Sequence, residues 1–413
     1  MTLRLSLRAW VVLITLGLGI GFSFLVWQQL STSGSGLLFN DFRILYGAAQ
    51  ALAHGRNPYN RATLLTFERT APGFSSWAGK SEPYPEPPVV AVMLWPLTGV
   101  PLVAAYGIYT AVSVTAMVAA VVAFARALRW RHVFLLTIGV LTAGIAAFGF
   151  AAGQLDALLL AATLAALVLA WRGSYLAAGL ALGAFWLKPD ILWPAALFLA
   201  IGLWPDRRAV LRYVIGFVIG TTALVILNLR LFPVWLASLL RFQRSRELVG
   251  LPGVIVERLW PTAHPSSAIF VVIVAVAVVL LAALGRWILS SPRWRELDQQ
   301  DRLLWAVGLS LAIWLTLTPY SHSNDTLLVL PLVVAMLGRD AAWAGKPAVA
   351  LAVLALAVPV GNFSSQLWPM DVNPAPLPCA LALIAGLWTL NHRVDSEHYA
   401  PLAGPLAEVR GVS

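Results

Sequence analysis

An all-α polytopic membrane protein of about 12 transmembrane helices is the fold this sequence predicts, and three observations predict it. Of 413 residues, 60% are hydrophobic and 11% charged, whereas a soluble globular domain carries roughly 25% charged residues. The mean hydropathy is +0.80. Apolar runs of about 20 residues, long enough for a helix to cross the hydrocarbon core, recur along the chain. Lipid offers the backbone no hydrogen bonds, so each run is read as helix.

The first run, 9–30, follows Arg4 and Arg8 and is long for a signal-peptide core. An uncleaved first span is expected; the alternative is a signal removed within the Ser-Thr-Ser-Gly-Ser-Gly stretch that follows. Further spans are expected near 100–125, 133–151, 155–171, 174–187, 190–204, 208–231, 267–289, 302–318, 324–338, 347–361 and 376–391. With the N-terminus inside, seventeen of the 28 Lys+Arg fall on inner segments. Lys188 alone lies in the short outer turns; nine of the other ten fall in two long outer loops, 31–88 and 232–266, and Arg230 stands just before the second of them. The alternation favours an even number of spans, with both termini cytoplasmic. A single membrane domain over 1–394 follows, with a polar, disordered tail at 395–413.

The net charge of +10 invites a nucleic-acid reading, but the basic residues sit in short loops between apolar runs and form no stripe or arm. The lone Cys379 excludes a disulfide framework and a thiol metal site, and reads as a small packing residue. Within the first outer loop, Ile44, Leu45, Ala48, Ala49 and Leu52 predict a one-sided helix over 42–53 lying along the membrane surface, ended by Gly55-Arg56-Asn57-Pro58. The apolar piece 89–97 is too short to span and reads as interfacial or re-entrant.

Ionisable residues near membrane depth cost several kcal/mol, so each needs a reason to persist. Asp41 and Arg43, Gln154 and Asp156, Lys188 and Asp190, and His322, Asn324 and Asp325 all fall on the outer side. Asp41 is either a helix cap or a general base reached from water. Beside the helix-breaking Pro189, Lys188 is a point charge for a phosphate, half of a self-neutralising Lys–Asp pair, or a lysine snorkelling to the interface. His322 and Asp325 are three apart and could share a helix face, a weak metal signal better suited to hydrogen bonding. Gln154 and Asp156 form a polar turn or a cap. Tyr84-Pro85-Glu86-Pro87-Pro88 offers a rigid backbone with one carboxylate. The Trp residues near span ends, Trp204, Trp235 and Trp287 among them, read as an aromatic belt. No Walker A motif, nucleophile elbow or His-Glu-x-x-His is present, which argues against a nucleotide-driven pump.

Asn40-Asp41-Phe42 with Tyr46, Gly55-Arg56-Asn57-Pro58-Tyr59, Tyr84 through Pro88, Gly153-Gln154-Leu155-Asp156, Leu187-Lys188-Pro189 and Thr318-Pro319-Tyr320-Ser321-His322 together resemble the glycosyltransferase family 87 (DUF2029) proteins, in family order. The resemblance implies a GT-C type bundle with interfacial helices in the first outer loop. It implies a cell-membrane enzyme that moves a hexose, best known as mannose, from a polyprenyl-phosphate donor to an extracytoplasmic glycan or glycolipid acceptor. The family's catalytic Asp maps to Asp41, and its Lys-Pro element to Lys188 and Pro189. Glu86 departs from the family's Tyr-Pro-Pro pattern.

A single inverting displacement needs one base, for which Asp41 is the candidate, and positive charge on the leaving phosphate, for which Lys188, His322, Arg43 and Arg258 are candidates. Tyr46, Tyr84, Glu86, Gln154, Asp156, Asp190, Tyr320, Asn324 and Asp325 are candidates for substrate contacts. No cofactor, metal or nucleic-acid partner is expected; membrane lipids are. The rivals are a secondary transporter, suited to the broken helix at Lys188-Pro189, a lipid-linked oligosaccharide polymerase or ligase, suited to the loop arginines Arg241, Arg244, Arg246 and Arg258, and a non-enzymatic structural membrane protein.

Overall fold

The computed structural model describes residues 40–68, 84–129, 152–226, 228–242, 267–318 and 323–337, with isolated positions at 137, 140, 149, 150, 379, 380, 382–384 and 387. Among these residues the only regular elements are helices. The segment before the first described spanning helix contributes α1 (Asn40–Ala53), α2 (Arg61–Glu68) and α3 (Pro88–Leu94), the last continued by a 3-10 turn over Trp95–Gly99. Next come α4 (Leu102–Ala127), α5 (Asp156–Trp171) and α6 (Tyr175–Leu182), which tightens into a 3-10 segment over Gly183–Leu187. The chain continues through α7 (Pro189–Gly202), α8 (Arg207–Ile226), α9 (Phe232–Phe242), α10 (Ser267–Ser290) and α11 (Pro292–Glu296). It closes with α12 (Gln299–Leu317), a 3-10 turn over Ser323–Val329 and α13 (Leu330–Leu337).

Among the described residues three helices are long and apolar enough to cross a membrane: α4, α8 and the Val271–Ser290 part of α10. Their outer faces stay apolar and open, with Leu211, Val218 and Val279 each more than half exposed, as lipid-facing positions are. A bundle of twelve full-length spans is therefore not what the described residues contain. Expected spans at 9–30 and 347–361, and most of 133–151 and 376–391, lie outside them. The other expected spans are shorter helices. At 1.5 Å per residue, the 16 residues of α5 and the 14 of α7 reach about 24 and 21 Å, against roughly 30 Å of hydrocarbon. Proline and 3-10 segments interrupt these runs. In α12, Asp301 and Arg302 occupy the first turn, while Leu303 through Thr316 are buried on every side. This is the central helix of the described core, packed by α7, α10 and α13.

Small residues bring α6 and α8 together. Gly179 and Gly183 on α6 and its 3-10 continuation face Gly216 and Gly220 on α8, and a Cβ at Gly216 would lie 2.0 Å from the Leu176 carbonyl oxygen. Such paired small-xxx-small spacing lets backbones approach closely in lipid, where burial of apolar surface gives no drive. The expected 208–231 span ends early, at Ile226, because the buried Asn228 turns the chain; its amide Nδ2 donates to Leu224 O at 2.8 Å.

The helix expected over 42–53 forms, starting at Asn40, and Gly55 ends it as foreseen. Gly55 sits at φ +66 while its N–H bonds Leu52 O and that of Arg56 bonds Ala51 O, the Schellman pattern. Protein covers the helix on more than one face, however. Ile44, Leu45, Ala48 and Ala49 are buried, and so are Phe42 and Arg43 on other faces. The reason is that α2, α3 and the 3-10 turn of the same segment fold over α1. It is an enclosed helix of the site.

Candidate functional site

Asp41 lies in the first turn of α1, where free backbone N–H groups favour a negative charge. Its Oδ2 accepts a short hydrogen bond from Gln154 Nε2. That contact depends on the turn before α5. Gly153 is left-handed at φ +77 and closes the preceding helical turn, with Gly153 N–H on Phe150 O and Gln154 N–H on Gly149 O. A Cβ on Gly153 would sit 2.4 Å from Phe42 Cβ. Backbone conformation and space therefore both demand glycine, one residue from each partner of the Asp41–Gln154 bond. Tyr106 and Tyr109 of α4 pack their rings on Phe42 and donate to Phe150 O at 2.6 Å and Gln154 O at 2.8 Å. Gly153→Ala is expected to misplace Gln154 from Asp41 and to lower the melting temperature in detergent. An unchanged melting curve would show that Phe42 yields.

Two residues after Gln154, Asp156 faces a second group. Lys188 Nζ lies 2.6 Å from Asp325 Oδ1 and 3.7 Å from Asp156 Oδ1, with all three side chains at most 7% exposed. Lys188 thus forms an ion pair, with Asp325 and Asp156 and not with the neighbouring Asp190. Local geometry explains this. Lys188 ends a 3-10 segment with its backbone at φ -152, ψ 75, outside the helical region that Pro189 disfavours for it, and α7 starts beyond it. Asp190 is exposed. Its contribution is a backbone one: Pro194 lacks the N–H that would bond the Asp190 carbonyl, and Trp314 Nε1 of α12 donates to it instead at 2.5 Å.

The Tyr84–Pro87 segment is tied down at three carbonyls. Tyr59 Oη donates to Glu86 O at 3.0 Å, Tyr84 Oη to Pro87 O at 2.9 Å and Trp235 Nε1 to Pro85 O at 2.9 Å. The Trp235 bond joins α9 to this segment, and Trp235 is buried in the cluster at 7% exposure. Glu86, half-buried, is held within electrostatic range of Lys188, Asp190, Asp325 and Asp156. Burial first, opposed by Lys188 and then reinforced by the three aspartates, pushes its carboxyl up to about 8.

Folded Glu86 therefore holds its proton where an unfolded carboxyl, near 4.5, has lost it. Stability should fall as pH rises from about 4.5 towards 8 and level off above that, because the folded state binds more protons in that window. Melting curves of wild type and Glu86→Gln across this range check it. The variant should show the flatter profile, and parallel profiles would mean that Glu86 is ionised throughout.

The structure thus brings together Asp41 with Gln154, and Lys188 with Asp156, Asp325 and Glu86, the turn 153–156 joining the two groups. Arg43 is buried one residue beyond Phe42. Tyr46 and Tyr84 are tied to backbone: Tyr46 Oη donates to Val100 O at 2.6 Å and accepts from Gln50 Nε2 at 2.8 Å, while Tyr84 Oη also accepts from Ala91 N–H at 3.1 Å. His322, Tyr320 and Arg258, and the side chain of Asn324, lie outside the described residues. Cys379 is buried. Among the described residues no group of three or more His, Cys, Asp or Glu is disposed to hold a metal ion. Sequence reasoning missed Tyr109 and Trp314 and named Tyr59 only within a motif; all three act through hydroxyl or indole donors on carbonyls. Of these, only Trp314 had a legible cause, the carbonyl that Pro194 leaves without its donor.

No protein-family model, no curated protein and no solved structure matches the chain.

Proposed function

We propose that this protein is a GT-C type membrane glycosyltransferase that moves a hexose, mannose in the first instance, from a polyprenyl-phosphate donor to a glycan or glycolipid acceptor on the extracytoplasmic side. The observation that carries this reading is the placement of Asp41 at the opening of an enclosed helix, oriented by Gln154, in the turn that also carries Asp156 to the Lys188 group. A carboxylate at a helix N-terminus keeps its negative charge there and is the group type that takes a proton from an acceptor hydroxyl. In the reaction, the acceptor oxygen bonds the anomeric carbon as its proton passes to Asp41. The bond from that carbon to the donor phosphate breaks, polyprenyl phosphate leaves with the electron pair, and the centre inverts.

Lys188 enters this scheme differently from the sequence expectation. One ammonium faces two carboxylates, so the group has no net positive charge to offer a phosphate. Counter-charge for the leaving group then falls to Arg43, Arg258 and His322, while Lys188 anchors α7 to α5 and the 3-10 turn at Ser323–Val329.

The same ion-pair group favours a second reading, a proton-coupled transporter. A proline-broken helix end carrying a buried Lys between two Asp is an arrangement proton relays use. Two assays on purified protein separate the readings. Incubation with radiolabelled polyprenyl-phosphate-mannose and membrane lipid extract should give a labelled product whose anomeric configuration is opposite to the donor's. Solute-driven proton uptake into liposomes without any transfer, tested over several donor sugars, would replace the enzyme by the transporter.

A further inference from the structure

The described core leaves one large hollow on its apolar side, between α7 and α10. The groove encloses about 670 Å³, within the roughly 300–1,000 Å³ typical of ligand pockets. Trp193, Leu197, Phe198, Leu281 and Leu289 provide apolar walls, and the small Ala282 keeps the floor open. Gly285 of α10 faces the C-terminal end of α7, where a Cβ would stand 3.3 Å from Ile201 Cδ1. The C-terminal ends of α7 and α10 therefore lie side by side. Beside that contact the groove has its one charged lining residue, the exposed Arg286, with Ser290 one turn on.

An apolar channel with a guanidinium at one end is complementary to a long alkyl chain attached to an anion. A planar guanidinium matches phosphate oxygens two at a time. Position separates this place from the catalytic candidates: thirteen residues of helix from Lys188 to Ile201 rise about 20 Å, so Arg286 stands a bilayer leaflet away from the Lys188 group. A zwitterionic headgroup would carry its own cation to Arg286, whereas an anionic one would not.

We infer that the α7–α10 groove is a binding site for an anionic phospholipid, with an acyl chain along Leu197 and Leu281 and the phosphate on Arg286. Native mass spectrometry of the delipidated full chain in detergent, titrated with phosphatidylglycerol or phosphatidylcholine, tests it. Phosphatidylglycerol should be retained about fivefold more strongly, the weight of one cation at an anionic membrane surface. Arg286→Gln should abolish that preference, and Ala282→Trp, which fills the groove, should expel the lipid. Arg208→Gln, at the start of α8, controls for net charge and should keep the preference. Equal retention of the two lipids, an unchanged preference in Arg286→Gln, or an equal loss in Arg208→Gln would overturn the inference. So would displacement of phosphatidylglycerol by polyprenyl phosphate in an Arg286-dependent manner.

Discussion

Replacing Lys188 by Met should destabilise the protein by about 3–5 kcal/mol, the cost of removing one member of a buried ion pair. Asp325 is fully buried and Asp156 is 2% exposed, so neither carboxylate can recover its charge balance from water. Methionine fills nearly the same apolar volume as the lysine stem, so the loss is electrostatic and not a cavity effect. Lys188→Met/Asp325→Asn should recover part of the loss, because one orphaned charge has gone while Asp156 remains. Melting of the purified variants in detergent reads both effects. A single variant that melts with wild type would mean that the ammonium is not bound to these aspartates in the folded protein. A double variant less stable than the single would contradict the pairing directly.

Much of this arrangement is legible in the sequence because it follows from short-range rules. Apolar spacing at Ile44, Leu45, Ala48 and Ala49 places α1, and Gly55 ends it, since a left-handed residue at that point costs glycine nothing. The unbroken apolar run of α4 gives a spanning helix within two residues of expectation at each end. The convergence of Asp41 with Gln154, and of Lys188 with Asp325, follows from assigning their turns to one side of the bundle. What stays hidden is choice of partner. Asp190 is two residues from Lys188 and Asp325 is 137 away, and a single sequence does not say that Pro189 directs the chain so that the distant one wins. The burial of α1 on more than one face is hidden for a related reason. Periodicity finds the apolar face, but the covering of its other face by α2 and α3 is a tertiary event. Shortened spans are hidden in part too: Pro194 announces a weakened helix, while the 3-10 tightening at Gly183–Leu187 has no signature in composition.

Asp41→Asn should lower sugar transfer by about 10²–10⁴-fold, the usual contribution of a positioned general base, and leave folding intact. The reason is geometric. Asparagine keeps an oxygen at the place where Gln154 Nε2 donates, so the contact between α1 and the turn at 153–156 survives while the basic lone pairs are lost. Gln154→Ala should cost less, because it frees the carboxylate without removing it. The decisive measurement is the initial rate of transfer from radiolabelled polyprenyl-phosphate-mannose to extracted membrane lipid, for wild type and Asp41→Asn at matched melting temperature. Transfer by wild type that falls by at least a hundredfold in the variant is the expected result; equal transfer by the two proteins would contradict the role given to Asp41.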